Sequence, residues 1–189
     1  IVLRGPGNNG GDGWVVARLF ADRGTQVTAI ASPPATAEAT ECRQNALDAG
    51  VEELVGPIGG ERNSYAKMFD EADLVVDGLF GLGLNRPVGF SPYGYELISP
   101  LNQSHVQSST LKVVSIDVPS GLSESVPLLQ GPGNESPRRP YWVCPTMTVT
   151  FELPKIVHVV PPHSLFIGKL LIRPLAPSLR LQDEHELSL

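Results

Sequence analysis

The chain has 189 residues, of which 41% are apolar, with a mean hydropathy near zero and a formal net charge of −6. That is long enough for one domain with a sizeable core, and an acidic chain without a basic run is a poor match for nucleic acid or an anionic membrane surface. No apolar run of roughly 18 residues is present to span a bilayer, and two cysteines, Cys42 and Cys144, form no disulfide framework and have no CxxC spacing.

The predicted elements follow in order. Residues 1–4 read as the end of a buried strand, and the chain opens there at Ile1 rather than Met. The expectation is that preceding residues, and any leader among them, have been lost. Free thiols point to a reducing compartment, so the expected location is cytoplasmic, or mitochondrial with a leader. Residues 5–13 (GPGNNGGDG) are a glycine-rich turn. A helix should follow with Trp14, Val15, Val16, Leu19 and Phe20 on one side, ending near Gly24.

Residues 26–32 (QVTAIAS) predict a second strand, 35–49 a helix closed by Gly50, 51–58 a short third strand and 65–72 a short helix. Residues 73–80 (DLVVDGLF) read as a strand buried on both faces. A helix over 93–101 is limited by Pro100, and 111–118 (LKVVSIDV) is a fifth strand. Residues 123–140 form an irregular, proline-rich insertion, 146–153 and 168–172 two further strands, and 177–189 a polar tail. Strands alternating with helices at this spacing predict an α/β fold, a mostly parallel sheet with helices on both faces, as one domain over 1–189.

In such sheets ligands bind beyond the carboxyl ends of the strands, where strand order reverses. Three stretches occupy those ends: the glycine turn, 77–83 (DGLFGLG) and 117–121 (DVPSG). Gly5, Gly7 and Gly10 satisfy G-x-G-x-x-G, but the second strand ends without the acidic residue that holds a ribose. This disfavours an ordinary NAD-dependent dehydrogenase. The turn still suits a phosphate, with Asn8, Asn9 and Asp12 adding side-chain oxygens. Asp77 and Asp117 interrupt apolar runs, where a carboxylate must be paired, bind a cation or titrate. Asn9, Asp77 and Ser120 offer oxygens to a hard cation, although the spacing names no ion. His105, His158, His163 and His185 are scattered and give no catalytic pattern.

These segments together resemble the YjeF N-terminal domain family, whose enzymes are NAD(P)H-hydrate epimerases. The matching stretches are GPGNNGGDGWVVAR at 5–18, DLVVDGLFGLGLNRPVG at 73–89, VVSIDVPSGL at 113–122 and TVTFELPK at 148–155. The resemblance implies a Rossmann-like three-layer α-β-α sandwich and conversion of the R form of hydrated NADH or NADPH (NADHX, NADPHX) to the S form. Carried over by position, it implies that Asn8, Asn9, Gly10, Gly11 and Asp12 contact the substrate. So do the loop residues Gly81, Leu82, Gly83, Leu84, Asn85, Arg86 and Pro87, and Asp117. It implies one potassium ion (K+) per subunit on Asn9, Asp77 and Ser120, and Asp117 as the catalytic acid/base, at an apolar strand end that would favour its holding a proton. Lys155 matches a family Pro-Lys pair without an assigned role. The resemblance also implies helices ahead of the first strand and a homodimer for the full-length protein. Leu82 stands where the family more often has Thr. The alternative reading is a non-catalytic binding or scaffold module of the same fold.

Overall fold

A computed structural model of the chain describes residues 1–33, 35–56, 65–85, 88, 91–124 and 142–175. Seven strands form one sheet: β1 (Val2–Arg4), β2 (Thr28–Ala31), β3 (Glu52–Val55), β4 (Leu74–Gly78), β5 (Lys112–Ile116), β6 (Met147–Phe151) and β7 (Lys169–Arg173). Their order is β3-β2-β1-β4-β5-β6-β7, and all six pairings are parallel. The predicted α/β class and parallel sheet therefore hold. Order reverses at β1, which lies between β2 and β4, and this opens a crevice between the carboxyl ends of β1 and β4.

The period-two alternation of the strands builds two cores. Val2, Ala29 and Val76 point to one face, where α1 (Asn8–Ala21) and α2 (Ala37–Asp48) cover them with Trp14, Ala17 and Ala46. Their strand neighbours Leu3, Ile30 and Val75 point to the other face. There Phe69 of α3 (Ala66–Asp70) and Leu101 of α4 (Ser99–Gln107) pack on them. The result is three layers. A third cluster, Val118, Leu122, Trp142, Val157 and Ile167, sits under α5 (Ile156–Val159) and the 3-10 turn His163–Phe166. Among the described residues no helix is long and apolar enough to cross a membrane.

Three expectations are corrected. Helix α1 begins at Asn8, not after Gly13, so most of the glycine turn is the first part of the helix. Its buried stripe is Gly10, Gly13, Trp14 and Ala17, and the missing side chains let the helix sit close on β1. Val15 and Leu19 are turned away, 37% and 40% exposed. Secondly, the helix predicted to stop near Pro100 runs on. A π-helical stretch, Tyr93–Ile98, leads directly into α4, with Pro100 in its first turn. There a missing N–H costs little, and the wider preceding turn accommodates the ring. Thirdly, the short helix α5 and the 3-10 turn were not predicted, because four residues carry no readable periodicity. Residues 57–58 of the predicted third strand, most of the 123–140 insertion and the 177–189 tail lie outside the described residues.

Two close backbone approaches fix the crevice. A Cβ on Gly5 would lie 1.9 Å from the Leu79 carbonyl oxygen, and one on Gly10 would lie 1.9 Å from the Gly5 carbonyl oxygen. Nothing lies within 4 Å of a Cβ on Gly11. Gly10→Ala should therefore destabilise the fold by about 3 kcal/mol or more. Gly11→Ala should leave stability unchanged or raise it by up to ~1 kcal/mol, as alanine in a helix interior does. Urea unfolding of the two variants checks this, and similar midpoints would refute the packing argument.

Candidate functional site

The carboxyl ends of β1, β4, β5 and β6 surround a cleft of about 760 Å³, within the usual range for a small-molecule site. One wall is the start of α1, with Gly7, Asn8, Asn9 and Asp12. A second is the loop after β4, from Leu79 to Asn85. The third brings Asp117, Phe151 and Lys155 from the ends of β5 and β6. Gly7 caps α1 with no side-chain bond to the helix, so N–H groups of the first turn remain for a ligand or water, at the positive end of the helix dipole.

Among the residues expected to touch substrate, Asn8, Asn9, Asp12, Gly81, Leu82, Gly83, Leu84, Asn85 and Asp117 line this cleft. Gly10 and Gly11 do not. Gly10 is packed against Gly5, and its role is to let α1 start where it does. Arg86 and Pro87 lie outside the described residues.

Asp77 is fully buried behind the β4 loop. The sheet register sets Ser115 beside it. Ser115 Oγ donates to Asp77 Oδ2 at 2.7 Å, the Ser120 backbone N–H donates to the same oxygen at 2.9 Å, and the Leu79 N–H donates to Oδ1 at 3.3 Å. Burial pushes its carboxyl above the ordinary carboxylate value, and these bonds oppose the shift. Ser120 Oγ accepts from the Phe80 N–H at 2.8 Å and donates to the Phe80 carbonyl at 3.2 Å. Ser123 Oγ donates to the Leu84 carbonyl at 2.6 Å. The loops after β4 and β5, predicted to converge, are thus bonded to each other.

Asn9 closes the same corner. Its carbonyl oxygen would lie 3.1 Å from a Cβ on Gly78, and its Cγ 3.5 Å from one on Gly81. Its Nδ2 is buried with no hydrogen-bond partner among the described residues. Turning the amide over would put Oδ1 in that orphaned position. Asn9 and Ser120 therefore both abut residues 77–81, the segment that carries Asp77, which gathers one carboxyl, neutral oxygens and an amide nitrogen without a partner among the described residues. That donor set fits a hard cation.

Asp117 is the most constrained side chain of the cleft. Its backbone is left-handed, with φ +63°, a conformation that Asp tolerates better than most residues. It is about a fifth exposed rather than isolated in apolar surroundings. Lys155 Nζ forms an ion pair with its Oδ1 at 2.7 Å, and Thr150 Oγ1 donates to the same atom at 2.8 Å. Lys155 Nζ also donates to Thr150 Oγ1 at 2.8 Å and to the Phe151 carbonyl at 3.0 Å. Asp117 therefore stands against an ammonium and a hydroxyl rather than alone among apolar side chains. Asp12 is exposed to solvent, yet what desolvation it has, and then the charge of Asp117, push its carboxyl above the ordinary value.

Sequence reading left Lys155 without a role and missed His158. Behind the cleft, His158 Nδ1 accepts from the Lys155 backbone N–H at 3.0 Å, while its Nε2 is buried without a partner among the described residues. The local signal was present, a Lys and a His three residues apart just past a strand end and a proline, which makes a capping pair for α5. Burial pushes the His158 ring below its ordinary value of 6.5. Asp117 pulls it up, and Lys155 adds to the lowering.

Residues 1–157 match the family described as YjeF-related protein N-terminus. The chain is 36% identical over 190 residues to the NAD(P)H-hydrate epimerase of Roseobacter litoralis, covering 92% of this chain and 74% of that protein. It is 41% identical over 122 residues to the NAD(P)H-hydrate epimerase of Rhodobacter capsulatus, covering 64% of this chain and 51% of that protein. Among solved structures, yeast ynu0, YNL200c, superposes with a TM-score of 0.65 at 23% identity, over 92% of this chain and 64% of that one.

The depressed His158 sets a pH dependence. Between its folded value and 6.5 the unfolded chain binds a proton that the folded chain does not. The stability from neutral His158 is therefore complete above that window and is lost as pH falls through it, at up to about 1.4 kcal/mol per pH unit. Between pH 7 and pH 5 the parent should lose more unfolding free energy than His158→Gln. Equal losses in urea titrations would refute this.

Proposed function

Because the chain belongs to the family of YjeF-related N-terminal domains, we propose that it is an isomerase, an NAD(P)H-hydrate epimerase that converts the R form of NADHX or NADPHX to the S form. The observation that carries the reading is the Asp117–Lys155–Thr150 constellation, which faces the uncapped start of α1 across one cleft. The epimerase names of the two bacterial relatives support it.

The chemistry needs little machinery. A hydrated nicotinamide carries a hydroxyl on a carbon bonded to the ring nitrogen. Protonating that hydroxyl lets the nitrogen lone pair expel water, and water returns on either face. The enzyme must exchange a proton with that oxygen and hold the rest of the molecule still. Asp117 is the acid/base. Lys155 and Thr150 fix its position and leave Oδ2 free of protein bonds among the described residues. The first-turn N–H groups of α1, with Asn8 and Asn9, hold the anionic dinucleotide. Phe80 and Phe151 add apolar surface beside the reacting ring.

Asn9, Asp77 and Ser120 would hold a potassium ion, which would supply a fixed positive charge where the β4 and β5 loops meet. The acidic surface and the absence of any basic run argue for a small-molecule substrate rather than nucleic acid or an anionic membrane. The full-length protein is proposed to be a homodimer.

Asp117→Asn should still bind the hydrate and lose epimerisation by roughly 10²-fold or more. Chromatography of the R form incubated with each protein checks this, and full activity in the variant would overturn the assignment. Potassium in place of tetramethylammonium should raise the melting temperature of the parent by mass action. That rise should disappear in Ser120→Ala and Asp77→Asn, and an unchanged rise in both would remove these residues from the ion site.

A further inference from the structure

Epimerisation moves a hydroxyl from one face of a ring to the other, so protons must be handled on both faces. One carboxyl can serve both only if it or the ring swings. Asp117 is held by the Lys155 ammonium, by the Thr150 hydroxyl and by a left-handed backbone, all at a strand end whose own N–H donates to the Val149 carbonyl at 2.7 Å. A group pinned in this way serves one face.

The cleft holds one further carboxyl that is free to act. Asp12 projects from the second turn of α1, a different wall from that of Asp117, and both line the same space. Across that space no hydrogen bond joins the two carboxyls among the described residues. Asp12 has no ion-pair or hydrogen-bond partner of its own among the described residues.

Resting on the epimerase reading above, we propose that Asp12 is a second acid/base group that serves the ring face Asp117 does not reach. In one direction the carboxyl on the hydroxyl-bearing face gives its proton to that oxygen. The carbon–oxygen bond breaks, water leaves, and the nitrogen lone pair becomes the second bond of an iminium. A new water attacks the opposite face, the carbon–oxygen bond forms, and the electron pair returns to nitrogen. The carboxylate on that face takes the proton the water sheds. One carboxyl has lost a proton and the other has gained one, no redox change occurs, and the reverse turnover or exchange with solvent restores the start.

The test is oxygen exchange in H2¹⁸O, with isolated R and S hydrates given separately to the parent chain, Asp12→Asn and Asp117→Asn. Each variant should lose conversion by roughly 10²-fold or more. Each should still label one hydrate with retention of configuration, through the carboxyl it keeps, and the two variants should label opposite hydrates. Full conversion by Asp12→Asn overturns the proposal. So does a raised KM at unchanged kcat, or a loss of both labelling reactions in Asp12→Asn with its melting temperature unchanged. If the parent converts neither hydrate, the epimerase reading falls together with the proposal. If the parent converts and Asp12→Asn converts equally, only the role of Asp12 falls.

Discussion

Where β1 ends, the α-carbon of Gly5 lies against the Leu79 carbonyl, and the Gly5 carbonyl lies against the α-carbon of Gly10. Three backbones, the strand exit, the helix start and the neighbouring strand exit, thus meet with no side chain between them. This contact lets α1 begin at the mouth of the crevice, so that Asn8, Asn9 and Asp12 reach it. It also places the β4 loop near enough for Ser120 and Ser123 to bond it. Site and fold share one packing constraint, and the glycines answer to it before they answer to any ligand.

Electrostatics divides the site into two zones. Around Asp77 the chain buries a carboxylate under three N–H and O–H donors, each charge-assisted bond worth about 1.5–3 kcal/mol, and leaves an amide atom of Asn9 unmatched beside it. Around Asp117 charge is met by charge, and the pair stays in contact with solvent. The first zone is a static cradle suited to an ion. The second is an ion pair reachable from the cleft, which Asp12 lines from a helix.

The sheet, its parallel sense and the three loops that meet at its carboxyl edge were legible because buried strands are written as continuous apolar runs. Asp77 and Asp117 were conspicuous as charges within those runs. What escaped was written at long range or in small numbers of residues. Nothing local to Lys155 tells that its ammonium reaches back 38 positions to Asp117, and His158 is meaningful only through Lys155. The helix start at Asn8 was hidden because glycine argues against helix by propensity. Here tertiary closeness outweighed that cost. Pro100 misled for the opposite reason, since the wide π-turn ahead of it removed the clash that normally stops a helix.

Asp117 carries a carboxylate on a backbone bent into the left-handed region, and these two demands limit how the position can drift. Glu keeps the charge but loses the backbone preference, while Asn and Gly keep the backbone and lose the charge. The substitutions the fold accepts most readily are therefore the ones that remove the carboxyl the proposed chemistry uses. A descendant that lost this carboxyl could keep the cleft as a binding site with no scar in its architecture, and the change would show as one residue at this bend.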